Sequence, residues 1–369
     1  MRIAFVTPRF APDTGGVETH VERIAERAAA EGWRVAVLTQ QTERAREPAQ
    51  RHGDLTIHRF PSVIPGDNYS WSPALWMHLR RRRADYELVH AHSYHSLCAL
   101  GPALLRSRPL VFTPHFHGTG HSRIRRALHY PYRPLGAQIF ASAQRVICVS
   151  DAEAELVRQR FPRASDRIRV IPNGVDVGAI RAAPPHRLDS PSVLCAGRLE
   201  PYKNVAAVID AMSELDGFSL WVVGEGPARP ALERHVARLR LGGRVTFLGR
   251  VSDAELHRWY RSVTAYASMS RQEAFGITPR EALSGGAGLV LSDIPAHREL
   301  ARGLPTDRAR LVPIDAAPGA LARAIREATA GGRSEAPGPV ATWDDVASRT
   351  MIAYREVLAD FSAVAMPCG

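Results

Sequence analysis

Two carboxylates eight positions apart, Glu273 and Glu281, frame the stretch Glu-Ala-Phe-Gly-Ile-Thr-Pro-Arg-Glu. An apolar run over 264–269 reads as a strand. The amphipathic helix that follows carries Pro279 in its first turn and ends at Ser284-Gly285-Gly286. Proline is tolerated there because the N–H it lacks would have no partner in a first turn. Such a helix start presents unpaired N–H groups and the positive end of a dipole, which suits a phosphate. Were both glutamates helical, they would stand ~12 Å apart along the axis at ~1.5 Å per residue. With Glu273 in the loop before the helix, both can face one bound molecule, one at each end. Two solvated helix glutamates would show the same spacing, so the rest of the chain has to decide.

A pair of cations forms the next candidate group. A strand pattern over 192–196 leads into Gly197-Arg198-Leu-Glu-Pro-Tyr-Lys203-Asn204 and then a helix to about residue 215. Arg198 and Lys203 are thereby aimed where an anion would sit at a helix N-terminus. Of the 48 Lys and Arg residues 47 are arginine, so Lys203 stands alone. Lysine offers a compact point charge where arginine offers a wide planar fork. The expectation is that Lys203 binds a phosphate in a narrow site. His115 ends the run Leu-Val-Phe-Thr-Pro-His over 110–115, with His117 two residues on. The C-terminal end of a parallel strand is where open α/β sheets place ligands; a satisfied core histidine is the plainer reading.

The elements that must position these residues repeat a strand–loop–helix pattern, the signature of doubly wound sheets. Residues 2–7 form a buried strand, then a loop ending Gly15-Gly16, then a helix over 17–30. Paired glycines let a ligand approach the backbone, but the pattern is not Gly-x-Gly-x-x-Gly, so a dinucleotide dehydrogenase is disfavoured. Further strands are expected over 33–39, 55–60, 88–92, 110–115, 146–150 and 167–171. A helix over 151–161 is capped by Ser150 or Asp151. A Pro- and Arg-rich stretch at 181–191 reads as a linker. The pattern then restarts with strands over 192–196, 220–223, 245–248, 264–269, 288–292 and 310–313, and a last helix spans 343–358. At 369 residues two domains are expected.

Composition bounds the function. The apolar and charged fractions, 45% and 23%, are those of a soluble globular protein. No apolar run reaches ~18 residues, and the chain opens straight into a strand without a signal-peptide pattern. The expected location is cytoplasmic. Four cysteines have no metal spacing, and Cys148 and Cys195 sit inside apolar strand patterns. The net charge of +11 admits nucleic acid, an anionic membrane or an anionic ligand. No nucleic-acid motif is present. The basic and aromatic stretch 123–133 would be the part facing an anionic bilayer at the inner face of the cell membrane. Tyr69 and Trp71, in an irregular loop over 61–72, either stack on a sugar or lipid or cap the core.

Taken in order, these segments resemble the retaining GT-B glycosyltransferases of family 4. The matches include Gly15-Gly16-Val17-Glu18, His115, Pro172-Asn173-Gly174-Val175-Asp176, Arg198 with Lys203, Gly224, Gly249-Arg250-Val251 and Glu273-x7-Glu281. They run colinearly from residue 3 to about 358, which is more specific than any one motif. The resemblance implies an α/β GT-B architecture of two Rossmann-like domains facing across a cleft. Residues 1–180 would form the acceptor domain, together with a C-terminal helix at 343–369 crossing back onto it, and 192–342 the donor domain. It implies that Glu273 contacts donor-sugar hydroxyls and that Glu281 binds the ribose. The backbone of Phe275, Gly276 and Ile277 would contact the diphosphate. Arg198 and Lys203 would grip that diphosphate, with Gly15, Gly16 and Gly224 close by. Arg250 and Val251 would lie against the base. His115 would stand near both sugar and acceptor. His117, two residues on, and Tyr69, from the irregular loop, are the further acceptor-side candidates by position and residue type. Pro279-Arg280 departs from the family's usual apolar residues there.

The expected reaction is transfer of a hexosyl or N-acetylhexosaminyl group from a UDP- or GDP-sugar to an acceptor hydroxyl, with retention. His115, Glu273, Arg198 and Lys203 would carry the chemistry. The leaving diphosphate needs fixed positive partners, which Arg198, Lys203 and the helix start after Glu273 supply. No Asp-x-Asp stands at a strand end, so neither metal nor cofactor is expected and the nucleotide-sugar is a co-substrate. A retaining glycosidase would use its carboxylates ~5 Å apart as acid and nucleophile, whereas these two are expected to bind opposite ends of one ligand. A nucleotide-sugar 2-epimerase of the same shape, a phosphorylase and a non-catalytic basic peripheral binding protein remain as rivals. The acceptor (small molecule, glycan or lipid-linked) and the oligomeric state stay open.

Overall fold

The structure, a computed structural model, describes residues 1–41, 49–63, 70–105, 108–118, 123–334 and 340–365, with no account of the side chains of 123–131 and 364–365. The chain divides into two units, Met1–Asn173 with Trp343–Gly369, and Gly174–Thr342. The stretch 181–191 and the helix Val177–Ala182 before it belong to the second unit. Ile180 of that helix is buried among Trp259, Tyr260 and Leu283.

The first unit is built on an eight-stranded sheet. Its strands are β1 (Arg2–Thr7), β2 (Arg34–Gln41), β3 (Ala49–His52), β4 (Leu55–Pro61), β5 (Leu88–His92), β6 (Leu110–Thr113), β7 (Arg145–Cys148) and β8 (Ile168–Val170), in the order β3-β4-β2-β1-β5-β6-β7-β8. All neighbours are parallel except β3 with β4. The short β3, mostly exposed, blunts the edge beside β4. Every residue of β5 is buried, as a strand covered on both faces requires. The strand expected to reach His115 stops at Thr113, because Pro114 follows and His115 turns left-handed at φ 48°. A helix over Arg123–Ser142 occupies ground that reads in sequence only as basic and aromatic. The helix 151–160 is capped by Ser150, whose hydroxyl accepts from the Glu153 N–H at 2.9 Å. Trp71 meets the edge of Trp76 at 5.9 Å, and Trp76 packs on the core, which places Trp71 as a cap.

The C-terminal helix Trp343–Ala365 packs on the helix Gly16–Ala30 of the same unit. Arg27 pairs with Asp344 at 2.5 Å, and Arg145 and Arg169 both reach Glu356. Tyr354 is fully buried with its hydroxyl 2.5 Å from His90 Nδ1.

The second unit carries six parallel strands: β9 (Ser192–Ala196), β10 (Ser219–Val223), β11 (Val245–Gly249), β12 (Ala265–Ser268), β13 (Gly288–Ser292) and β14 (Ala309–Val312), in the order β11-β10-β9-β12-β13-β14. Apolar clusters fill both faces, one around Val208, Ile209 and Ile325, the other around Trp259, Tyr260 and Leu289. The order reverses between β9 and β12, and the crevice beyond such a switch point is where open sheets bind ligands.

Candidate active site

In the second unit the loops after β9 and β12 leave the sheet at its switch point, and they are stitched together. Arg271 N donates to Tyr202 O at 2.9 Å, and Lys203 N to Glu200 O at 3.0 Å. The single turn Pro201–Lys203 is thus pinned against the segment that carries Glu273. Lys203 Nζ reaches Glu273 Oε1 at 2.5 Å, with both side chains largely buried. Burial, the largest single influence, pushes the Glu273 carboxyl up, but the Lys203 ammonium, His297 and a hydrogen bond from Ser270 together hold the group below its ordinary value. Burial likewise works to lower the Lys203 ammonium, and Glu273 together with Tyr202 reverses the sign. Both stay charged at neutral pH. Arg198 pairs with Glu200 at 3.1 Å and lines the same recess as Lys203, Gly197, Ser270 and Thr278.

Three loops stack at the ends of adjacent strands beneath this recess. Gly197 N donates to Val223 O at 3.0 Å, and Gly224 N to Gly249 O at 2.8 Å. Gly224 has φ +124°, and a Cβ on it would stand 2.0 Å from Gly197 O. This glycine is therefore needed for the packing of the Arg198 loop, whatever it does for a ligand. Arg250 is exposed, while Val251 packs against the core around Trp259.

Glu273 lies in the loop and Glu281 in the helix Ile277–Ser284, as the spacing suggests. Gly276 sits at the N-cap with φ 79°, and no side chain caps the first turn. Arg280 covers the Phe275 ring, 3.6 Å from its centroid, and donates to the carbonyls of Phe275 and Gly276. Burial pushes its guanidinium down to about 10. The unusual Pro279-Arg280 step thereby has an explanation: Pro279 is buried, and the arginine braces the loop through its carbonyls. Glu281 Oε2 accepts from the Tyr260 hydroxyl at 2.9 Å. The Tyr266 hydroxyl donates to Ala196 O at 3.1 Å and meets Thr278 Oγ1 at 2.8 Å, tying the helix start to the end of β9.

His297, passed over in the sequence, is fully buried beside this pair. Its Nδ1 meets Ser292 O at 2.9 Å. Burial lowers its pKa, and the nearby Glu273 carboxylate works against that.

In the first unit Gly15 and Gly16 open the helix Gly16–Ala30. A Cβ on Gly15 would stand 2.4 Å from a Glu18 carboxylate oxygen, and Glu18 pairs with Arg9 at 2.9 Å. His115 is half-buried and follows β6. The turn it occupies is fastened by Glu153, whose carboxylate accepts from Phe116 N and, at 2.6 Å, from Val149 N. His115 does not stand alone: His20 lies 5.2 Å and His92 5.8 Å away, centroid to centroid. His117 stacks on His95 at 4.9 Å. His92 was legible by the rule that singled out His115, since His90-Ala-His92 closes a parallel strand, whereas His20 lies within a helix and carries no such signal. Tyr69 lies outside the described residues.

Family models for Glycosyltransferase Family 4 match residues 14–179, and for Glycosyl transferases group 1 residues 176–336. A phosphatidyl-myo-inositol mannosyltransferase of Mycolicibacterium smegmatis is 30% identical over 88% of this chain and 84% of its own. The chain belongs to the family 4 glycosyltransferases. A D-inositol 3-phosphate glycosyltransferase of Xylanimonas cellulosilytica is 27% identical to this glycosyltransferase over 78% of its chain and 77% of the relative. Among solved structures, sucrose-phosphate synthase of Thermosynechococcus elongatus superposes with TM-score 0.81 at 22% identity, covering 97% and 99% of the two chains. Anabaena HepE, in complex with UDP and glucose, superposes with TM-score 0.75 at 19% identity over 96% and 99%. These give the glycosyltransferase the GT-B fold, in agreement with its two parallel α/β sheets and the C-terminal helix returned to the first unit. No described helix is long and apolar enough to cross a membrane.

Proposed function

We propose that this glycosyltransferase moves a hexosyl group, with retention, from a nucleoside-diphosphate-sugar to a hydroxyl of an inositol-phosphate-bearing acceptor, without a metal at the diphosphate. The observation that carries the reading is the meeting of Lys203, Glu273 and Arg198 at the switch point of the second sheet. Two fixed cations and an uncapped helix start lie where a leaving diphosphate needs positive charge. In this reading the donor's phosphates take over the Lys203 ammonium from Glu273, which frees that carboxylate for sugar hydroxyls. Glu281, held by Tyr260, takes the ribose. The backbone of Phe275, Gly276 and Ile277 meets the diphosphate, and Arg250 and Val251 lie by the base. On the other unit, Gly15 and Gly16 approach the donor, His115 contacts sugar and acceptor, and His117 and Tyr69 serve the acceptor side.

Inositol as the acceptor motif is supported by the relatives. Phosphatidyl-myo-inositol and D-inositol 3-phosphate both appear among their named substrates, and what those share is an inositol bearing a phosphate. In this reading the domains divide the work as acceptor and donor halves, and the arginines of the stretch 123–133 would meet an anionic lipid surface.

The test is a donor panel of GDP-mannose, UDP-glucose and UDP-N-acetylglucosamine, in chelator, against phosphatidylinositol vesicles and soluble inositol phosphate. We expect transfer from one donor, with product of retained configuration by NMR and loss of at least ~100-fold in kcat/KM for Lys203→Ala. Activity that chelator abolishes and Mg2+ restores overturns the metal-free mechanism. Donor turnover without any acceptor favours the epimerase.

A further inference from the structure

The first unit gathers two histidines that the reaction above does not need, His20 and His92, around one that it does, His115. His20 comes from the helix Gly16–Ala30, His92 from the last position of β5, and His115 from the turn after β6. One ring nitrogen from each lies within 4.8 Å of the other two. His20 and His92 are shut off from solvent, while His115 is half-buried.

What singles the cluster out is the state of its nitrogens. Among the described residues His20 Nε2, both ring nitrogens of His92, and His115 Nε2 are buried without a hydrogen-bond partner. Buried polar atoms in native proteins are nearly always paired, so convergent orphans call for a missing group. His20 Nδ1 meets Asn173 Oδ1 at 2.7 Å. An amide oxygen only accepts, so the proton sits on Nδ1 and Nε2 offers a lone pair to the cluster. An outer partner that orients the ring in this way is the usual companion of a metal-bound imidazole. Behind His92 the ring of His90 lies 4.0 Å away, itself held by Tyr354 and by Thr113 at 2.8 Å.

We propose that His20, His92 and His115 form a binding site for one divalent transition-metal ion of the zinc class. Imidazole nitrogen suits Zn2+, Co2+, Ni2+ and Cu2+, whereas Mg2+ and Ca2+ require oxygen. Three nitrogens leave a fourth position open. Bonds of ~2.1 Å from nitrogens up to 4.8 Å apart need ring shifts of about an ångström. The half-buried edge of His115 is the way in. The regulatory consequence rests on the proposed function: an ion on His115 removes that imidazole from sugar and acceptor, so Zn2+ inhibits transfer while the diphosphate end needs no metal.

The test uses the full-length, untagged chain after chelator dialysis, titrated with Co2+ and read by visible d–d absorption. We expect one tetrahedral-type equivalent, displaced by Zn2+ and untouched by Mg2+. His92→Ala and His20→Gln should each weaken Co2+ binding at least ~100-fold, and Asn173→Ala about 10- to 100-fold. Glu22, Glu26 and His52 form a rival surface group, so His52→Ala is the control and should leave the spectrum unchanged. Circular dichroism checks each variant, and if His92→Ala does not fold, His20→Gln and Asn173→Ala decide. Absence of d–d bands, or binding that survives His20→Gln and disappears in His52→Ala, overturns the site. Binding at the site without inhibition leaves the metal centre standing and removes His115 from the proposed acceptor role.

Discussion

Replacing Lys203 by methionine keeps most of the side-chain volume and deletes the ammonium. At 2.5 Å the pair has about 6–7 kcal/mol of gross attraction at an effective dielectric near 20. Most of that offsets the cost of drying two charges. The single substitution removes the attraction and leaves the cost, because Glu273 stays buried without its counter-ion. Fully buried pairs broken in this way lose about 3–5 kcal/mol. With side-chain exposures of 22% and 16% some water reaches the pair, and the loss should be about 2–4 kcal/mol at pH 8. The double variant Lys203→Met/Glu273→Gln removes the orphan charge and should recover at least half of it.

The pH dependence gives the same reasoning a second handle. In the wild type the folded Glu273 pKa lies below its 4.5 reference and that of Lys203 above its 10.5 reference. The Glu273 contribution is therefore present above ~4.5 and lost as pH falls through the depressed value. The Lys203 contribution is present below ~10.5 and lost as pH rises through the raised one. Between about pH 5 and 10 the pair's worth is flat. In Lys203→Met burial dominates, the carboxyl takes up a proton more readily, and the deficit against wild type should shrink toward pH 5. Hydrogen exchange in urea, read on peptides covering β9 and β12, isolates this unit. A Lys203→Met variant as stable as wild type at pH 8, or a double variant no better than the single, refutes the argument.

Three further outcomes follow from the packing. Gly224→Ala drives a Cβ to 2.0 Å from Gly197 O at φ +124° and should cost about 3–5 kcal/mol, visible as lost exchange protection in β9 and β10; a neutral result would mean the two loops can part freely. Glu153→Gln turns one acceptor oxygen into an NH2 that faces a backbone N–H; about 2–3 kcal/mol should be lost, with the His115 ring resonances moved in the NMR spectrum. His78 is held down to about 4 by burial, with the His58 and Arg82 charges adding to it. Its folded pKa lies below the unfolded 6.5, so its contribution exists above 6.5 and fades as pH falls toward 4. Discounted for its half-exposure this is about 1–2 kcal/mol, and urea midpoints of wild type and His78→Phe should converge over that range.

The sheets were legible because strands buried on both faces announce themselves as apolar runs. β5, β9 and β13 start and stop where the residues said. The helix Arg123–Ser142 was not, since Pro131 and Pro134 argue locally against any helix and only packing overrides them. Strand β3 was too short and polar to show. At the site, Glu273 and Lys203 were visible singly, by spacing and by rarity. Their direct pairing was not, because it depends on the hydrogen bond from Arg271 to Tyr202 that sets two distant loops in register. Arg280 looked like a misfit until Phe275 lay under it. His20 and His297 carry no local signal in a chain with fifteen histidines.

The first unit is discontinuous, and residues 174–342 interrupt it. During synthesis the ribosome must release the whole second unit before Trp343 and the helix behind it emerge. Until then the helix Gly16–Ala30 lacks the partner that Arg27 and Tyr354 fasten. The second unit can thus mature as a continuous stretch while the first waits, its histidine-lined face uncovered. Truncation anywhere within residues 343–358 would leave the nascent first unit in that unfinished state, a natural point for quality control to act.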